Sequence, residues 1–209
     1  MGVIEAIPLP YIKTWANAYF HPMETYGSNK KQMSWGSIAT NLALAGVVAW
    51  AAAFISSILG LGIGLALALI IGVIVYPIAM VIGGIVGSIV YYIVAKVLGG
   101  KGGFMEQTFA FALLTGGYMV MMFPFTALGG LPLIGWLFGL VGMLVGLYNL
   151  YNYYLIIKGV HEVSSNRAIV ILLVPIVVAV VLAFVLAAAL VAVLAPYMAG
   201  AMATKGLGY

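Results

Sequence analysis

The fold is decided by residues 168–195, which read AIVILLVPIVVAVVLAFVLAAALVAVLA. No charged side chain occurs in this stretch, and the uncharged run continues to residue 204. An α-helix rises about 1.5 Å per residue and the hydrocarbon core of a bilayer is about 30 Å thick, so about 20 apolar residues cross it once. Residues 168–195 therefore predict a transmembrane helix.

The composition of the whole chain agrees with a membrane environment. Hydrophobic residues make up 66% of the 209 residues and charged residues only 6%, whereas a soluble domain is about half apolar and a quarter charged. Such a chain cannot cover a water-facing surface, so a soluble enzyme is excluded. The absence of cysteine excludes disulfides and thiolate sites. The few basic residues are scattered, which argues against a nucleic-acid partner.

Two further uncharged runs, residues 32–95 and 107–157, leave room for two or three crossings and for two crossings. With five spans and a cytoplasmic N-terminus, every basic residue except Lys205 lies on the cytoplasmic side. Six spans would divide the basic residues equally, so the positive-inside rule favours five. The fold class is therefore an all-α polytopic transmembrane bundle with spans near Ser37–Leu59, Ile70–Lys96, Met105–Ala127, Leu133–Ile157 and Ala168–Ala195.

The chain divides into a cytoplasmic arm (residues 1–36), a five-span membrane domain (37–196) and a short tail (197–209). In the arm, Ile12, Trp15 and Tyr19 share one helical face, which predicts a short interfacial helix lying on the bilayer. Glycine-rich residues 61–75 are compatible either with a re-entrant segment or with the start of a long second helix kinked at Pro77.

The spans supply few polar groups for catalysis. The two histidines, His21 and His161, lie near the predicted cytoplasmic boundary, and the four glutamates are far apart in sequence. No HExxH pattern is present. The sequence therefore predicts no catalytic residue, no metal site and no cofactor.

Two groups of residues are candidates for binding. At the predicted cytoplasmic boundary, side chains that could contact a partner protein or membrane lipids are Lys96, Lys101, Lys158, His161, Glu162 and Arg167. In the fourth span, side chains that could form a helix-packing contact or a pocket are Asn149, Asn152, Tyr148 and Tyr151. Stripes of glycine in the second and fourth spans permit close helix approach, either within one chain or in a homo-oligomer.

Three stretches resemble one known family. Residues 158–168, KGVHEVSSNRA, followed by Pro175, are similar to the closing signature of the Yip (Ypt-interacting protein) domain family. Residues 99–108, GGKGGFMEQT, resemble the family's loop before its third span. Residues 15–26 resemble its amphipathic entry with an Asn/His-Pro turn. The three stretches occur in the family's order and frame the five predicted spans.

The resemblance implies a five-helix membrane protein with a cytoplasmic N-terminus. Eukaryotic relatives reside in Golgi and endoplasmic-reticulum membranes, bind Rab-type GTPases and assist vesicle traffic, usually with a longer N-terminal region. The arm of about 36 residues is more similar to short prokaryotic members, which argues against GTPase binding and favours the cell membrane of a prokaryote. The expected function is a non-enzymatic scaffold or organiser that binds proteins or lipids at the cytoplasmic face, in a trafficking-like role. The alternative is a small transporter or lipid-moving protein.

Overall fold

The computed structural model describes residues 9–60 and 70–205, with side chains from Pro10 to Ala195 within those ranges. This part of the chain is all-helical, with one short 3-10 turn at Lys30–Gln32. The seven α-helices are α1 Leu9–Phe20, α2 Pro22–Asn29, α3 Trp35–Leu59, α4 Gly72–Val97, α5 Phe104–Leu128, α6 Gly135–His161 and α7 Ser165–Lys205. Helices α3 to α7 are long and apolar enough to cross a membrane. The five predicted spans are confirmed.

The predicted boundaries differ from the observed ones mainly at two places. Helix α7 continues past Ala195 to Lys205, so most of the predicted tail is helical backbone. Helix α4 begins at Gly72 and passes Pro77 without interruption. Residues 61–69, which carry most of the predicted re-entrant segment, lie outside the described residues.

Helix α5 is the centre of the bundle and packs against α1, α3, α4 and α6. Small residues let neighbouring helices approach closely, as at Gly46 of α3, where an added Cβ would lie 2.6 Å from the Cα atom of Pro77 in α4. In the predicted glycine stripe of α6, Gly142 faces Met122 of α5, whereas Gly139 faces open space. The outer faces of α4 and α7 expose large apolar side chains that suit contact with lipid.

The short N-terminal helix is confirmed as α1, but its apolar face does not lie on the bilayer. Trp15 and Tyr19 are buried in protein, where they pack on Gly116 and Gly117 of α5. The two glycines lack side chains and leave a groove that the aromatic residues of α1 fill. Ile12, on the same predicted face, stays partly exposed.

The topology makes a direct prediction about the two ends of α5. Lys101, whose side chain is 76% exposed, precedes α5, and Leu133, 93% exposed, follows it. Because the chain has no cysteine, Lys101→Cys and Leu133→Cys introduce single labelling sites. In sealed cells, a membrane-impermeant maleimide should label only the second variant, and both after permeabilisation. Labelling of both variants in sealed cells would contradict a five-span topology.

Candidate functional site

Consecutive spans run antiparallel, so the start of α3, the end of α4, the start of α5, the end of α6 and the start of α7 meet at one end of the bundle. The charged residues at these helix ends form a surface that we call the charged face. It comprises Lys30, Lys31, Lys96, Lys101, Glu106, Lys158, Glu162 and Arg167. Six of these eight side chains are basic, so the charged face has a net positive charge.

Two ion pairs connect different segments across the charged face. Lys30 Nζ lies 2.7 Å from Glu106 Oε1, which joins the end of α2 to the first turn of α5. Lys101 Nζ lies 2.9 Å from Glu162 Oε2, which joins the loops after α4 and α6. The hydrogen bond to Glu106 raises the pKa of Lys30. Exposed pairs of this kind add little stability, so their main consequence is to hold neighbouring loops together.

Four basic side chains of the charged face have no ion pair among the described residues: Lys31, Lys96, Lys158 and Arg167. The ammonium group of Lys96 lies 5.5 Å from the ring centroid of Tyr92, and that of Lys158 lies 6.0 Å from the ring of Tyr154. Arg167 extends beside Gly99, whose positive φ of 82° turns the loop after α4. All four side chains are exposed and can bind an external anion.

His161 differs from the other predicted residues of this group because it is fully buried. Its Nε2 atom lies 2.6 Å from Gln107 Oε1, and Gln107 Nε2 donates to the carbonyl oxygen of Ser88 at 2.7 Å. The carbonyl oxygen of His161 accepts from the backbone N–H of Lys101 at 3.0 Å. His161 therefore ties α4, α5 and α6 together beneath the charged face and does not itself present a binding group.

Gln107 and Ser88 were not predicted from the sequence as functional residues, although both are buried polar groups. The sequence signal for this network was Gln107 itself, an amide in the first two turns of a largely apolar helix. Buried amides in membrane helices commonly hydrogen-bond a neighbouring helix. The identity of its partner could not be read from the sequence.

A second set of polar contacts attaches α1 to the bundle. Asn152 Nδ2 donates to the carbonyl oxygen of Tyr19 at 2.7 Å, and the Tyr19 hydroxyl donates to the carbonyl oxygen of Val145 at 2.7 Å. Burial raises the pKa of Tyr19 to about 12, which keeps this hydroxyl protonated. Trp15 Nε1 donates to Asn41 Oδ1 at 2.6 Å. Because these groups are buried, each bond also avoids the cost of an unpaired polar atom.

The four predicted residues of α6 have different surroundings. Asn152 and Tyr148 face α1, with the Tyr148 ring centroid 5.2 Å from that of Tyr19. Asn149 is buried. Tyr151 is half exposed and stacks on Tyr154. These residues therefore serve mainly to pack α1 against α6. The exposed ring of Tyr151 lies outside this contact.

In the part of the chain that the structure describes, the side chains of the charged face are suited to binding and to little other chemistry. Among the described residues, no group of three or more His, Asp or Glu side chains could hold a metal ion. The exposed basic side chains can bind anionic groups, while the buried amide and imidazole hold the helices in place.

Comparison with known families identifies the domain. A protein-family model of the Yip1 domain matches residues 16–188. The chain belongs to the Yip1 domain family. The matched region begins at residue 16, within α1, and includes every residue of the charged face. No curated protein and no solved structure matches the chain.

Proposed function

We propose that this multi-span Yip1-domain protein is a non-enzymatic scaffold that binds an acidic segment of a partner protein at its charged face. The observation that carries the proposal is the concentration there of exposed cations without an ion pair: Lys31, Lys96, Lys158 and Arg167. Positive surfaces steer and select negatively charged partners.

The order of the charged face supports the same proposal. Backbone hydrogen bonds hold the loop after α4, among them those from Gly100 N–H to the carbonyl oxygen of Ala95 at 2.8 Å and from Lys101 N–H to that of His161 at 3.0 Å. A surface that is already ordered loses less conformational freedom on binding. The buried contacts beneath this loop are therefore part of the binding apparatus, although they do not touch the partner.

The charge distribution supports a cytoplasmic position for the charged face. At the opposite ends of the five spans, the sequence has one basic residue, Lys205 at the end of α7. Loops rich in Lys and Arg remain in the cytoplasm during insertion, so we place the charged face in the cytoplasm. Anionic headgroups of the inner leaflet would compete for the same cations with about 1 kcal/mol per basic residue.

Charge reversal tests this proposal. The triple variant Lys96→Glu, Lys158→Glu, Arg167→Glu should lose at least tenfold in partner capture, because three attractive contacts become repulsive. A photoreactive amino acid at exposed Asn166 can capture the partner in native membranes, and mass spectrometry of the adducts identifies it. This probe does not depend on the lysines that are changed.

The matched control is Lys205→Glu, which changes charge at the other end of α7. The triple variant should retain the thermal stability of the unmodified protein, because its three exchanged side chains are exposed. Equal capture by the triple variant and the control would refute the proposal. Adducts that contain lipid and no protein would assign the charged face to anionic headgroups instead.

A further inference from the structure

A cavity of about 230 Å³ lies inside the bundle, among α3, α4, α5, α6 and the first half of α7. Its lining includes Ser88, Tyr91, Thr108, Thr115, Tyr153 and Ile176. Ser88 is nine residues before the end of α4 at Val97, and Thr115 is eleven residues after the start of α5 at Phe104. At about 1.5 Å per residue these side chains lie roughly 14 to 17 Å below the charged face, at membrane depth.

The polar groups of this cavity are hydroxyls. Ser88 is 1% exposed, and its Oγ atom has no hydrogen-bond partner. Thr115 Oγ1 and the Tyr153 hydroxyl lie 3.4 Å apart. None of the lining residues is charged. A buried hydroxyl without a partner costs about 1–3 kcal/mol, and a ligand that supplies a donor or acceptor would recover this energy.

The cavity connects sideways to the lipid-facing surface. A crevice of about 530 Å³ between α4 and α7 shares Gly87, Tyr91 and Ile176 with it. The rest of the crevice is lined by apolar side chains such as Val90 and Leu182. Gly87 forms the passage, since a Cβ added there would have no neighbour within 4 Å. A hydrocarbon chain can therefore lie in the crevice while its polar end reaches the cavity.

We propose that this cavity binds a single membrane lipid with a small uncharged polar group, such as diacylglycerol, which enters between α4 and α7. A hydroxyl or ester carbonyl would pair with Ser88, and an acyl chain would fill the apolar crevice. A phosphate headgroup does not fit, because its charge would be buried without a cation. A water-soluble solute does not fit either, because the passage opens to the hydrocarbon region. This site is separate from the charged face and does not depend on the scaffold role.

The test uses the full-length protein in phosphatidylcholine vesicles that contain a photoactivatable, alkyne-tagged diacylglycerol. After irradiation, mass spectrometry locates the lipid adducts along the chain. Adducts should concentrate around Tyr91 in α4 and Ile176 in α7. Untagged diacylglycerol should compete for the site, and phosphatidic acid with the same chains should not.

Three variants separate binding in the cavity from surface contact with lipid. Gly87→Leu should fill the passage and reduce the adducts at least fivefold, whereas Gly139→Leu, at an exposed glycine of α6 that also faces open space, should leave them unchanged. Ser88→Ala should reduce diacylglycerol adducts several-fold but retain those of a hydrocarbon photoprobe without a polar group. The proposal is refuted if adducts spread along all exposed helix faces, if the two glycine variants behave alike, or if phosphatidic acid competes equally.

Discussion

Gly117→Leu should release the N-terminal helix α1 from the membrane bundle. A Cβ atom at position 117 would collide with the carbonyl oxygen of Trp15 and would lie 3.0 Å from Cβ of Tyr19. The first of these neighbours is backbone, so no side-chain rotation can relieve the collision. Leucine needs more space still, and α1 can accommodate it only by moving away from α5.

The expected effect is large because docking of α1 depends on a few concentrated contacts. Trp15 is 1% exposed in the docked state, and removing such an aromatic residue from its packing costs about 3–5 kcal/mol. Separation of α1 also breaks the hydrogen bonds from Asn152 to Tyr19 and from Trp15 to Asn41. Loss of about 3 kcal/mol already shifts the docking equilibrium more than a hundredfold.

A cysteine reporter in α1 can measure this release. Ala18 is 2% exposed, so in the Ala18→Cys protein a maleimide should label position 18 slowly. Adding Gly117→Leu should accelerate labelling at least a hundredfold, whereas adding Gly139→Leu should not change it. Slow labelling in both double variants would show that α5 can accept a larger residue without losing α1.

The contrast between the confirmed spans and the wrong placement of α1 follows from the range of the interactions. A span is specified locally, by a long uncharged run such as residues 168–195 and by basic residues beside it, because lipid imposes the same requirement on every crossing. The apolar face of α1 could be satisfied by lipid or by protein. Gly116 and Gly117 decide between the two, and they are about one hundred residues away in sequence.

The candidate site, like the fold, was predictable where local sequence decides and not where contacts between helices decide. Exposed Lys96, Lys158 and Arg167 follow directly from their positions at helix ends. His161 also lies at a helix end, yet its ring turns inward because Gln107 on another helix offers a buried partner. A single sequence does not reveal such pairing between helices, since each polar residue alone is equally compatible with an exposed position.

Gln107→Leu should lower the free energy of unfolding by about 2–3 kcal/mol. The substitution removes the partner of His161 Nε2, and Nδ1 of the same buried ring has no hydrogen-bond partner in the structure. The carbonyl oxygen of Ser88 also loses its side-chain donor. Each buried polar group that loses its partner costs about 1–3 kcal/mol. Leucine has nearly the volume of glutamine, so the loss should arise from unpaired polarity and not from a cavity.

Equilibrium unfolding in mixed detergent micelles can measure this loss, with exposed Gln32→Leu as the matched control that should change stability by less than about 0.5 kcal/mol. Adding His161→Leu to Gln107→Leu should recover about 1 kcal/mol or more, because the double variant leaves no imidazole unpaired. A spin label at Lys101→Cys should become more mobile in Gln107→Leu, since the backbone N–H of residue 101 is held by the carbonyl oxygen of His161. Strictly additive stability losses with unchanged label mobility would mean that the two side chains stabilise the bundle independently. In that case the buried network would not be what orders the loop of the charged face, and the loop would owe its order to its own backbone hydrogen bonds, from Gly99 N–H to Lys96 and from Gly100 N–H to Ala95.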